Sequence, residues 1–144
     1  MQYIALKYGK GTHFNQTEPH AHCRVAEVCS AVGDLIEHYM STLSLQDETE
    51  TKRMREETTN SVLPRVLGGV EKRLQDNGFV IGNDLTPADI MVNELVRVLS
   101  SGALDYVPKD AHVGYSKVMQ CCQNVQQDKR IKAYYEKHPL MPGL

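Results

Sequence analysis

The sequence contains no apolar run that approaches the ~18–20 residues needed to span a lipid bilayer. Its first ten residues alternate apolar and polar side chains and include two lysines, so they lack the apolar core of a secretion signal. We therefore expect no membrane-spanning segment and a cytoplasmic location.

The chain also has no large excess of positive or negative charge. The chain has 16 Lys and Arg against 18 Asp and Glu, for a net charge of −2. This balance gives no electrostatic basis for binding nucleic acid or an anionic membrane. With 41% hydrophobic and 24% charged residues, the 144-residue chain has the composition and length of one ordinary globular domain.

The sequence also lacks cysteine spacings typical of disulfides. Cys23 and Cys29 are six residues apart on one predicted helix, about 9 Å along its axis, which exceeds disulfide reach. Cys121 and Cys122 are adjacent and cannot easily bridge each other. They fall near a predicted helix C-terminus, where the helix dipole opposes a thiolate, so we interpret them as core cysteines rather than nucleophiles.

Apolar residues recur at steps of three and four along most of the chain, which predicts α-helices. The first helix is predicted over about 19–41, the second from about 48 until Asn77 and Gly78 end it, with an interruption at Pro64, and the others over about 86–99, 110–124 and 128–137. The helix over 110–124 would have Val113, Val118, Met119 and Cys122 on its apolar side. With no strand pattern present, the sequence predicts an all-α fold, a bundle of about five helices.

The most specific local signal lies at the start of the third predicted helix. Thr86 is placed to be the N-cap and Pro87 the first helical residue, while Asp89 occupies the position whose carboxylate can reach back to the Thr86 amide. Leu85 and Ile90 are spaced to clamp against each other outside the first turn. We interpret Leu85, Thr86, Asp89 and Ile90 as a structural capping box with a hydrophobic staple, not as a catalytic Thr/Asp pair.

Three segments in order resemble the C-terminal helical domain of cytosolic glutathione transferases. They are the proline-interrupted helix over 63–74, the segment Val80-Ile81-Gly82-Asn83-Asp84-Leu85-Thr86-Pro87-Ala88-Asp89, and the ending over 128–134. The resemblance covers about residues 17–140, and helix lengths are most similar to the sigma class, with the mu, alpha and pi classes near it. Residues 1–10 resemble the end of the last helix in the family's thioredoxin-like N-terminal domain, which implies a remnant over 1–10 followed by one helical domain over 11–144.

The resemblance also bears on candidate functional residues. In the family, the thioredoxin-like half carries the Tyr, Ser or Cys that activates glutathione, and no position here corresponds to it, so we assign no catalytic residue. In several classes an aspartate on the first long helix reaches glutathione in the other subunit. That position falls at Ser30, with Gly33 and Asp34 beside it, and glutathione is expected to bind only if an N-terminal domain completes the site.

Other candidates have simpler interpretations. His20, His22 and Cys23 could be metal ligands, but residues i and i+2 of a helix do not share a face, so no metal site is predicted. The seven tyrosines are expected to pack in the core or at its rim with satisfied hydroxyls. The charged run over 48–57 is expected to be a solvated helix face.

The sequence therefore predicts a non-catalytic binding or assembly module. A helical domain of this type without its other half would leave an apolar surface that pairs with a second copy or with a different protein. The alternative is a truncated form or fragment of an active glutathione transferase that conjugates glutathione to hydrophobic electrophiles. A third hypothesis is storage of a hydrophobic small ligand without chemistry.

Overall fold

The computed structural model describes residues 3, 7–9 and 18–137, so most of the predicted remnant over 1–10 and the tail after residue 137 lie outside the described residues. Within the described part, the chain forms α-helices joined by turns and by longer irregular segments, and it has no strand. The α-helices are α1 (Pro19–Met40), α2 (Glu48–Glu57), α3 (Leu63–Arg73), α4 (Pro87–Ser101), α5 (Ser116–Gln127) and α6 (Lys129–Lys137). Because α2 continues into α3, these segments make five rods, and the predicted all-α bundle of about five helices is confirmed.

The core lies around α4, which packs against α1 on one side and α5 on the other. The predicted stripe of α1 is buried at Val25, Val28, Val32, Leu35 and Tyr39. It meets buried residues of the other helices: Leu63, Leu67 and Val70 of α3, Val92, Leu95 and Leu99 of α4, and Val118, Cys121 and Cys122 of α5. None of the described helices is long and apolar enough to cross a membrane.

The interruption predicted at Pro64 takes the form of a π-helical turn over Thr58–Val62, between α2 and α3. Proline has no amide hydrogen, and its ring clashes with the carbonyl four residues earlier. The wider turn relieves that clash: the Leu63 amide bonds back to the Thr58 carbonyl, five residues away. The helix therefore continues past the proline instead of ending there.

Two predicted boundaries are wrong. The helix α3 ends at Arg73, and residues 74–86 are turns and extended chain, so Asn77 and Gly78 lie outside the helix. The helix α5 begins at Ser116 rather than near residue 110, because residues 103–115 form turns in which Tyr106 and Gly114 have positive φ angles. Val113 consequently is 66% exposed and does not belong to the apolar side of α5. Tyr134 of α6 is likewise exposed, and α6 has no fully buried residue.

Candidate functional site

The capping box at the start of α4 is present and has a structural role. The Thr86 amide donates to Asp89 Oδ2 at 2.7 Å, and the Thr86 hydroxyl is hydrogen-bonded to the same oxygen at 2.5 Å. The Val80 amide donates to Asp89 Oδ1 at 2.9 Å. Burial raises the pKa of Asp89, and these hydrogen bonds offset part of the rise. Because both Thr86 and Asp89 are fully buried, the pair fixes the loop before α4 and cannot reach a substrate.

The cysteine thiols are poorly suited to nucleophilic chemistry. Burial raises the pKa of Cys122 to about 11 and raises the pKa of Cys121 further, with the Asp89 carboxylate adding to the effect at Cys121. The pKa of the half-buried Cys29 is raised for the same reason. A nucleophilic thiol needs the opposite shift, so these three cysteines are packing residues.

Tyrosine hydroxyls with shifted pKa values follow the same trend. Tyr39 is buried and its hydroxyl lies 3.1 Å from the Thr59 hydroxyl, and burial raises its pKa. The Tyr135 hydroxyl donates to Glu94, and burial together with that carboxylate raises its pKa to about 12. Neither phenol is poised to ionise, and both hydroxyls already have a hydrogen-bond partner.

A groove of about 710 Å³ lies between α1 and α3. Apolar side chains form its floor: Val28 and Ala31 from α1, Val62 from the π turn, and Val66 and Val70 from α3. Charged and polar side chains form its walls: Glu27, Asp34, Glu37 and His38 from α1, and Arg65 and Arg73 from α3. The acidic groups thus belong to one wall and the arginines to the other.

The two ends of this groove differ in how its charges are satisfied. At one end Arg73 forms an ion pair with Glu27 across the groove, and this pair lowers the pKa of Glu27. At the same end Arg24 Nη1 donates to the Arg73 carbonyl at 3.0 Å. At the other end, the side chains of Asp34, Glu37 and Arg65 form no ion pair or hydrogen bond with any described residue. We call the end with the Arg73–Glu27 ion pair the closed end of the groove, and the end with unpaired charges of both signs its open end.

Comparison with known proteins decides the family. The family model described as "Glutathione S-transferase, C-terminal domain" matches residues 33–138, nearly three quarters of the chain. The chain belongs to the glutathione S-transferase C-terminal domain family. The structure is similar to that of rat hematopoietic prostaglandin D synthase (hPGDS), a sigma-class glutathione transferase solved in complex with a quinoline. The TM-score is 0.79 at 20% sequence identity, and the match covers 97% of this chain and 67% of that chain. A search of curated proteins finds no relative of this sequence.

Within this glutathione S-transferase C-terminal domain, the three residues predicted from the cross-subunit contact all lie on α1. Asp34 lines the groove, whereas Ser30 and Gly33 do not. Residues three and four apart are neighbours on the surface of an α-helix, so Ser30, Gly33 and Asp34 lie on one side of α1. Binding of glutathione at Ser30, Gly33 and Asp34 stays a prediction.

The sequence analysis missed Glu27, Arg65 and Arg73, which carry the closed end and the basic wall of the groove. One signal could have found the basic wall. Arg65, Gly69 and Arg73 follow each other at steps of four, beside the apolar series Val62, Val66 and Val70 at the same step. Two such parallel ridges are typical of a helix that presents a mixed face to a neighbour.

The described residues contain no group of three or more His, Cys, Asp or Glu side chains placed to hold a metal ion. His20, His22 and Cys23 are all exposed at the start of α1.

Proposed function

We propose that this glutathione S-transferase C-terminal domain acts as a non-catalytic assembly module, and that two copies of it associate through the α1–α3 groove. The observation that carries the proposal is the open end of the groove. There an apolar floor lies beside the exposed and unpaired groups Asp34, Glu37 and Arg65. An apolar surface with a charged rim is the usual composition of a protein interface.

The arrangement of charge favours a second copy as the occupant. In a two-fold symmetric dimer each contact occurs twice, so a residue from one copy meets a different residue of the other. Arg65 on α3 of one copy can then pair with Asp34 or Glu37 on α1 of its partner, and the reverse pair forms by symmetry. A groove whose two walls carry opposite charge is therefore complementary to itself.

The non-catalytic part of the proposal is supported by the acid–base properties of the candidate nucleophiles. The shifted thiol and phenol pKa values of Cys29, Cys121, Cys122, Tyr39 and Tyr135 all move upward. Activation of a nucleophile by the protein requires a lowered pKa or an adjacent general base. The four cysteines are free thiols, which fits the reducing cytoplasm as the location we propose.

A second candidate function is favoured by the structural comparison. The match covers nearly all of this chain but only 67% of the hPGDS chain. The same helical domain could therefore serve as one part of an active glutathione transferase that conjugates glutathione to hydrophobic electrophiles. A different protein partner or a hydrophobic small molecule in the groove are the remaining alternatives to self-association.

Sedimentation velocity over a range of protein concentrations tests the dimer. Wild type is expected to show a reversible monomer–dimer equilibrium. Charge reversal by Arg65→Glu or Asp34→Arg should weaken the dimer by about tenfold or more, since like charges would then face each other. The double variant should recover much of the loss, because the exchanged charges can pair again. Lys72→Glu is the matched control, since Lys72 is exposed on α3 but does not line the groove.

Two outcomes would contradict self-association: a wild-type protein that stays monomeric at every concentration, or an equal loss of dimer in Arg65→Glu and Lys72→Glu. Catalysis is tested separately with glutathione and a hydrophobic electrophile. We expect the 144-residue chain to give no turnover above the uncatalysed rate, and enzymatic conjugation by this chain would refute the non-catalytic function.

A further inference from the structure

Arg55 of α2 is a buried cation without a charged partner. Its residue exposure is 5%, and it forms no ion pair with a carboxylate of any described residue. Its Nε donates to the Thr42 hydroxyl at 2.8 Å, and its Nη1 donates to the Asp105 carbonyl oxygen at 3.3 Å. Both acceptors are neutral. Burial of a guanidinium is costly unless an anion balances it, so this position is unusual for an arginine.

Arg55 lines a small cleft of about 290 Å³, which is separate from the α1–α3 groove. The cleft lies where the end of α1, the start of α2 and the turn before α5 meet. Its other lining residues are Thr42, Leu43, Leu45, Gln46, Glu48, Thr51, Asp105 and Tyr106. Nη2 of Arg55 makes no hydrogen bond with any residue that the structure describes, and it is not among the polar atoms that are sealed from solvent without a partner. Its two N–H groups are therefore available to a molecule in the cleft.

Two further features add positive potential there. The cleft adjoins the N-terminus of α2, where the helix dipole favours negative charge and the Asp47 carboxylate already accepts the Thr49 and Glu50 amides. Lys52 lies on the same helix, with its Nζ 5.7 Å from the centre of the Tyr106 ring. Lys52 also forms an ion pair with the exposed Glu56 at 3.9 Å, which balances part of its charge.

We propose that the cleft at Arg55 binds a carboxylate group with a single negative charge. The Nη2 N–H groups of Arg55 can donate to a carboxylate oxygen, and the carboxylate would supply the anion that buried Arg55 lacks. Glu48 and Asp105 also line the cleft, so a doubly charged phosphate would be repelled more strongly than a monoanion. The Tyr106 hydroxyl donates to Glu48 Oε1 at 2.5 Å, so that carboxylate already has a hydrogen-bond partner.

The volume limits the size of the ligand. Pockets for drug-sized molecules measure roughly 300–1,000 Å³, and this cleft lies at the lower limit. It suits a small carboxylic acid or the carboxylate at the end of a peptide. Both present the same group to Arg55, and the experiment distinguishes them.

The test is an NMR titration that observes the Nε–Hε resonance of Arg55 in the wild-type chain. We expect acetate to shift this resonance saturably, while chloride at the same ionic strength does not, and while the Nε–Hε resonance of the exposed Arg65 stays in place. Phosphate should bind at least about tenfold more weakly than acetate. A short peptide with a free carboxyl terminus, compared with its amidated form, shows whether peptide carboxylates bind as well as free acids.

Arg55→Gln and Arg55→Lys provide the second readout. Loss of the guanidinium fork should weaken acetate binding about tenfold or more, since a charge-assisted hydrogen bond contributes at least that factor. Acetate should also raise the melting temperature of wild type and not of either variant. If the variants do not fold, the titration of the wild-type chain still tests whether the cleft at Arg55 binds acetate. Equal shifts at Arg55 and Arg65, or no saturable shift at Arg55, would overturn the proposal.

Discussion

The helix α5 is capped by a side chain from a different helix. Its own N-cap residue, Tyr115, makes no side-chain cap. Instead Glu71 of α3 accepts the Lys117 amide on Oε1 and the Val118 amide on Oε2, each at 3.0 Å, and the Ser116 hydroxyl on Oε1 at 3.1 Å. Two of the amides that an α-helix leaves unpaired at its start are thus satisfied across the interface between α3 and α5.

Substitution of Glu71 should therefore destabilise the whole domain. A helix cap contributes about 1 kcal/mol, and up to about 2 kcal/mol in good geometry. A charged acceptor strengthens each bond, although the half-exposed position of Glu71 weakens the effect. We expect Glu71→Gln, which retains one acceptor oxygen, to lower the free energy of unfolding by about 1 kcal/mol, and Glu71→Ala by about 2 kcal/mol. For a domain of this size the melting temperature should fall by about 3–4 °C per kcal/mol.

Urea denaturation followed by circular dichroism measures the effect. The matched control is the same pair of substitutions at Glu136, which is exposed on α6 and makes no contact of this kind. Those variants should stay within about 0.5 kcal/mol of wild type. If Glu71→Ala were equally mild, the carboxylate would not cap α5, and the reasoning would be refuted.

The pH dependence provides an independent check on the same carboxylate. Burial opposes ionisation of Glu71, but the hydrogen bonds from Lys117, Val118 and Ser116 outweigh it and lower its pKa. Since the folded pKa lies below the unfolded value of about 4.3, the stabilisation is complete above that pH and is lost as the pH falls through the folded pKa. The stability difference between wild type and Glu71→Ala should shrink in acid. A difference that does not depend on pH would indicate lost packing instead.

The remaining predictions concern the loop before α4 and the glycines. Asp89→Asn should lower the free energy of unfolding, measured by urea denaturation, by about 2–4 kcal/mol. The reason is that a fully buried carboxylate that accepts several hydrogen bonds is replaced by an amide that can accept fewer. A change below about 0.5 kcal/mol would contradict this. Gly78→Ala should cost about 2 kcal/mol, since its φ is +80° and a Cβ there would lie 2.9 Å from Cβ of Gln120. Gly33→Ala lies in mid-helix with open space around the new Cβ, so it should instead raise the melting temperature through a gain of about 0.5–1 kcal/mol. A Gly33→Ala variant less stable than Gly78→Ala would refute both predictions.

The elements that sequence reasoning predicted well are those whose causes lie within a few residues. The capping box of Thr86 and Asp89 spans three positions, and the stripe of α1 repeats every three or four, so both patterns are complete in the local sequence. The break at Pro64 was predictable from the chemistry of proline, but its form as a π turn was not. The start of α5 was misplaced because its cap comes from Glu71, about 45 residues earlier, and no local motif marks it.

The sequence by itself therefore determined the fold class, the helical faces and the start of α4, because backbone preferences and side-chain periodicity act over one or two turns. Only the tertiary structure decided which charges meet and which stay unpaired. The pairing of Arg73 with Glu27, the unpaired Arg65 and the buried Arg55 all depend on how α1, α2, α3 and the turn before α5 pack. Both proposed binding surfaces rest on such packing, since burial and the distance between charges on different helices are set by the whole bundle and not by any one segment.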